Sequence, residues 1–228
     1  MEKEYFVLYT PEKVETAYKY ALTDFSHKQI IAALDTDDDL LKQICLINLE
    51  SLYSHDEALK LVSVLTGQSG PVREVCACKI RQFLNTPETN RFFVGEKIRK
   101  TLLDGICDII PSAAADISLS LYLLPEKNEI LEELLDKTDE FLKNLQNVTN
   151  SHELNKKTFA LYRALSALTR FCPLEPSPKL EKILEQSAKT DDYPVREKTA
   201  AVVAACKGFE DLKNLLKNDE CFYVRRNF

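Results

Sequence analysis

Three histidines and seven cysteines are the residues of this 228-residue chain best suited to nucleophilic, acid–base or metal chemistry. Each such chemistry needs a partner at a set spacing: a nucleophile beside its base, or thiolates and imidazoles gathered around one ion. His27, His55 and His152 stand at unrelated points of the chain, and His27 and His152 each follow a serine where a helix should start. They read as exposed first-turn residues. Cys45, Cys76, Cys78, Cys107, Cys172, Cys206 and Cys221 are odd in number and scattered through apolar stretches, without the spacing of a disulfide framework or a zinc knuckle. Cys76 and Cys78 form the one close pair, yet two residues on a helix lie about 200° apart in azimuth and do not face one ion. The thiols are expected to be reduced and mostly buried. Gly67 and Gly70 lack the lysine and hydroxyl residue that complete a phosphate-binding loop. The acid runs Asp37-Asp38-Asp39 and Asp191-Asp192 fall where a turn between helices calls for polar residues. This reading assigns no catalytic group, no metal and no cofactor.

The elements that must position these residues are helices. Five glycines leave few turns with positive φ, which argues against a hairpin-rich β fold. The net charge of -6 is the wrong sign for coating nucleic acid. No basic-then-apolar leader and no run of about 18 apolar residues is found, so neither a signal peptide nor a membrane span is expected, and the cytoplasm is the default compartment.

A recurring segment sets the organisation. Pro71-Val72-Arg73-Glu74 returns almost unchanged as Pro194-Val195-Arg196-Glu197, 123 residues later, or three steps of 41. Hidden copies are therefore expected at 113 and 154. Leu154-Asn155-Lys156-Lys157-Thr158 aligns with Val195-Arg196-Glu197-Lys198-Thr199, and Ala113 opens an apolar run after Pro111-Ser112. Looser copies stand at Leu40-Leu41-Lys42-Gln43 and Tyr223-Val224-Arg225-Arg226. The second helices of successive pairs should then begin near 41, 72, 113, 154, 195 and 224. Thr10-Pro11, Thr86-Pro87 and Ser177-Pro178 read as N-caps followed by proline in the first turn, and Ser112, Ser151 and Asp191-Asp192 as caps or turn acids. On α-helical spacing, Leu154, Thr158, Leu161, Leu165 and Leu168 form one apolar stripe. The chain reads as one domain over 1–228, with an N-terminal capping helix at about 11–22 and repeats from about 26; residues 173–178 link two repeats.

An apolar helix, an Asp-rich turn, then Val-Arg opening a second helix resembles the HEAT repeat family from Ser26 onward. The resemblance implies an all-α, right-handed α-solenoid of about six helix pairs. It also implies a ladder in which turn acids and second-helix basic residues tie repeats together. The matching positions are Asp37 or Asp38 with Lys42, then Arg73, then Asp191 or Asp192 with Arg196, and Asp219 with Arg225; Ala114 and Asn155 interrupt it. The implied function is a noncatalytic scaffold that binds a protein segment on the concave wall of second helices. Two columns in repeat register would face that partner: Gln43, Glu74, Ala115, Lys156, Glu197, and Glu50, Arg81, Tyr122, Arg163, Ala204. Arg81, Tyr122 and Arg163 suit an acidic segment, and as exposed residues should affect affinity more than stability. Alkylpurine DNA glycosylases and bilin lyases resemble the chain in architecture and supply the enzymatic alternative. The first would need a basic face that this acidic, tryptophan-free chain does not offer; the second rests on no matched motif.

Overall fold

The computed structural model describes residues 10–145 and 151–228. These residues form helices joined by short connections, with no strand among them. They fall into two compact units, Met1–Phe93 and Val94–Phe228.

In the first unit the order is α1 (Pro11–Ala21), α2 (His27–Ala33), α3 (Asp39–Asn48), α4 (His55–Ser63), α5 (Gly70–Leu84) and the single turn α6 (Pro87–Asn90). The helix starts are fixed by side chains that accept the unpaired first-turn N–H groups. Thr10 accepts from Lys13, Ser54 from Glu57, and Asp38 from Leu40 and Leu41, while Ser26 and Gln29 form a capping box. Thr86 holds the N-cap position of α6, but its hydroxyl donates back to the Gln82 carbonyl at 3.2 Å instead of capping. Helix α3 packs on α1, α2 and α5, and α5 also takes α4 and α6. Cys45 and Leu46 of α3, Leu61 and Val62 of α4, and Val72, Cys76 and Ile80 of α5 make its buried core.

The second unit continues with α7 (Glu96–Gly105), α8 (Pro111–Leu123), α9 (Lys127–Leu145), α10 (Ser151–Phe171), α11 (Pro178–Ser187), α12 (Tyr193–Ala205), α13 (Glu210–Lys217) and α14 (Phe222–Arg225). Helices α8, α10, α12 and α14 touch one after another, and α9 lies against both α7 and α11. Gly105 permits the close approach of α7 to α8, since a Cβ there would stand 2.8 Å from Cδ1 of Ile117. The buried face of α10 is Leu161, Ala164, Leu165 and Leu168, the i, i+3, i+4, i+7 stripe of an amphipathic helix. Leu154, read as the start of that stripe, is instead 45% exposed.

The six second helices begin at 39, 70, 111, 151, 193 and 222, two or three residues before the recurring apolar residue. At Val72, Ala113, Val195 and Val224 that residue is the first to turn inward, while Leu41 is half-buried and Leu154 exposed; the proline or acid ahead of it already belongs to the first turn. Ser112 is accordingly inside α8 and does not cap it, whereas the Ile110 N–H donates to the Asp108 carboxylate at 2.9 Å. The 173–178 segment lies within the second unit and runs into α11, whose cap is Ser177 and whose first residue is Pro178. No described helix is long and apolar enough to cross a membrane.

Candidate binding surface

The basic residue near the start of a second helix turns back onto its own turn. Arg196 donates through Nη1 to the carbonyls of Thr190 and Asp191, both at 2.9 Å. Arg225 does the same to Asp219 and Glu220 at 2.6 and 2.7 Å, and Arg73 reaches the Gln68 carbonyl at 2.5 Å. Carbonyls just past a helix end lack the next turn's N–H donors, and a planar guanidinium supplies them. The remaining donors of Arg196 point forward, to both Asp219 oxygens at 2.7 and 3.2 Å. Lys42, buried, likewise reaches forward to Oε1 of Gln68 at 2.5 Å.

Asp191 with Arg196 and Asp219 with Arg225 meet as the HEAT resemblance implies, but through main-chain carbonyls, and the side-chain carboxylates of the turn acids go elsewhere. Asp192 is spent on capping α12 through the Val195 N–H at 3.1 Å. Asp38 caps α3 and accepts the Tyr20 hydroxyl at 2.7 Å, and Asp37 is exposed. Asp219 gives its carboxylate to Arg196, leaving Arg225 the main-chain oxygen. An acid directly before a helix is drawn to the free N–H groups, so the carboxylate available to an arginine comes from the following turn. The hydrogen bonds from Arg196 hold the Asp219 carboxyl below the usual carboxylate range.

A second arrangement lies between α10 and α12. Asn155, Thr158, Phe159 and Tyr162 of α10 face Tyr193, Pro194 and Glu197 of α12 across a cavity of ≈ 430 Å³. The rings continue onto α14, where Tyr223 stacks on Tyr193 at 6.0 Å between centroids and Phe222 meets Tyr223 edge-on at 5.9 Å. Cations lie over these rings: Arg163 over Phe159 at 4.7 Å and Tyr162 at 5.7 Å, Lys198 over Tyr162 at 5.5 Å, and Arg226 over Tyr223 at 4.8 Å. Arg226 also pairs with Glu197 at 2.8 Å. Phe159, Tyr193, Phe222 and Tyr223 are 37–63% exposed, a concentration of bare aromatic surface in a helical unit.

Of the two columns read from the repeat register, Glu50, Glu74, Ala115, Lys156 and Ala204 are exposed. Gln43 is half-buried and donates to the Asp39 carbonyl, and Glu197 is held by Arg226. Arg81 belongs to the first unit, Tyr122 and Arg163 to the second. Tyr122 packs edge-on against Phe171 at 5.6 Å and carries Lys127 over its ring at 4.4 Å. Both arginines are half-buried, and the Nε of Arg163 is enclosed without a hydrogen-bond partner among the described residues. The exposure expected of both is therefore corrected, and the Arg163 guanidinium lies over rings as well as carrying charge.

Phe159, Tyr162, Tyr193 and Tyr223 escaped the sequence reading. One signal was present: Tyr193 and Phe222 stand two residues before Val195 and Val224, so an aromatic opens both helices. His27 is half-buried and its Nε2 lies 3.0 Å from Glu57 Oε1, so it is not the free first-turn residue expected. Nδ1 of His55 contacts the Phe92 carbonyl at 2.9 Å, and the side chain of His152 lies outside the described residues. Cys45, Cys76 and Cys206 are buried while Cys78, Cys107, Cys172 and Cys221 are half-buried, so burial covers fewer thiols than expected. Desolvation pushes the Cys107 thiol up to about 11 and that of Cys172 to about 12. The described residues hold no group of three His, Cys, Asp or Glu that could ligate one metal ion.

No protein-family model matches the chain, and no curated protein matches it significantly. Among solved structures, the crystal structure of an engineered protein aligns with 89% of this chain and 91% of its own, at 16% identity and a TM-score of 0.43.

Proposed function

We propose that the chain is a HEAT-like, right-handed α-solenoid acting as a noncatalytic protein-binding scaffold, with a partner segment held on the face of its second helices. The serial contacts α8–α10–α12–α14 and the repeated guanidinium clamp on the inter-helix turn support the repeat reading. The observation that carries the binding role is the exposed row of Phe159, Tyr193 and Tyr223 with cations seated above its rings. Stiff aromatics and arginine are the residue types that dominate binding hot spots, because they bury much area for few frozen rotamers. Unbridged cysteines suit the reducing cytoplasm as the place of action.

Selection of a displayed random-peptide library on the wild-type protein, with Phe159→Ser/Tyr193→Ser as the counter-target, tests this reading. Enrichment of peptides that bind wild type and not the variant is expected. A selection that returns no peptide sensitive to these two positions would remove the proposal.

A further inference from the structure

Charge on the α10–α12 face is distributed unevenly between acids and bases. The acids that line the cavity are engaged: Asp192 caps α12, and Glu197 pairs with Arg226. Elsewhere in the second unit the cations that bridge helices also have carboxylates, as Arg99 does with Glu126 and Glu133, Lys179 with Glu132 and Asp136, and Lys182 with Asp139. Arg163, Lys198 and Lys156 differ. None of the three has a carboxylate within salt-bridge distance among the described residues, and two of them lie over the groove rings. A cation held by a ring face keeps its outer N–H groups free for an anion.

We infer that the occupant of this groove is an acidic protein segment carrying an aromatic side chain, its carboxylates gripped by Arg163, Lys198 and Lys156 and its ring set among Phe159, Tyr162 and Tyr193. This rests on reading the α10–α12–α14 face as a binding surface. Lys156 and Arg163 stand two turns apart on α10, about 10 Å, which about three residues of extended chain span. A guanidinium donates two parallel hydrogen bonds to a carboxylate, so the acid is specified by geometry as well as by charge.

The test is fluorescence anisotropy with two labelled octapeptides, EEFEEFEE and QQFQQFQQ, against the full chain. The glutamate peptide should bind about tenfold tighter than the glutamine peptide, and in Arg163→Gln/Lys198→Gln that advantage should fall below about threefold. Because Arg163 packs on rings, Lys156→Gln/Lys198→Gln serves as a second variant, with circular dichroism checking the fold of both. Equal binding of the two peptides, weakened by Tyr193→Ser, overturns the acidic occupant and leaves the groove standing. An absence of binding by either peptide also overturns it; the groove itself falls if the library selection is equally empty.

Discussion

Arg196 satisfies two turn carbonyls and both oxygens of Asp219 while only 8% exposed, so its removal leaves two main-chain acceptors and Oδ2 of a nearly enclosed carboxylate without a donor, only Oδ1 keeping the Cys221 N–H. Arg196→Ala should cost about 3 kcal/mol in urea denaturation, since losing one member of a buried, hydrogen-bonded pair leaves the other uncompensated. A loss below about 0.5 kcal/mol would place Arg196 among ordinary surface residues. The pH dependence follows from the same contact. The folded carboxyl of Asp219 sits below its ordinary value of 3.8, so its contribution is complete above that value and is lost as pH falls through the lowered one. The stability gap between wild type and Asp219→Asn should therefore be constant at neutral pH and close under acid, in paired melts across pH 2 to about 6. Thiol reactivity sorts by the same physics. Cys45, Cys76 and Cys206 are buried, and Cys107 and Cys172 hold their protons to about 11 and 12. Ellman's reagent at mildly alkaline pH should react first with Cys78 and Cys221; fast reaction of the buried three would contradict the described packing.

At the scale of elements, α7, α9 and α11 are laced by ion pairs of unequal worth. Arg99 bridges Glu126 and Glu133 at 2.7 and 3.0 Å with its side chain 12% exposed, whereas Lys179 meets Glu132 and Asp136 in the open. Arg99→Ala should lower stability by about 1 to 3 kcal/mol and Lys179→Ala by less than about 0.5 kcal/mol. Equal effects in thermal melts would mean that burial does not set their value. The starts of α5, α12 and α14 were legible because the recurring segment sets one apolar residue at the same place in each: Val72, Val195 and Val224 all turn into the core as the helix begins. The binding face was less legible. Leu154 fits the buried stripe on periodicity, which does not say which of two apolar faces of α10 is covered, and Phe159 lies on the face left bare. The partners of Lys42 and Arg196 were missed for a related reason. Both reach into a turn 23 to 26 residues on, and no local pattern records a contact of that separation.

For the whole molecule, protection against hydrogen exchange should follow the depth of these contacts. Helix α10 touches α8, α9 and α12, while α14 is four residues long and rests on α12 and α13. Amides of α14 should exchange before those of α10, and the reverse order would show that the described packing does not set local stability. The forward reach of Arg196 also gives the second unit a direction in time. A chain made from its N-terminus has the turn carbonyls of Thr190 and Asp191 in hand when Arg196 emerges, but Asp219 follows 23 residues later. At ordinary synthesis rates that is a wait of about 1 to 5 seconds. Until Asp219 is free to fold, Arg196 has its own turn but no carboxylate, so a chain truncated before Asp219 should be captured more readily by chaperones or by foreign acids than one that includes it.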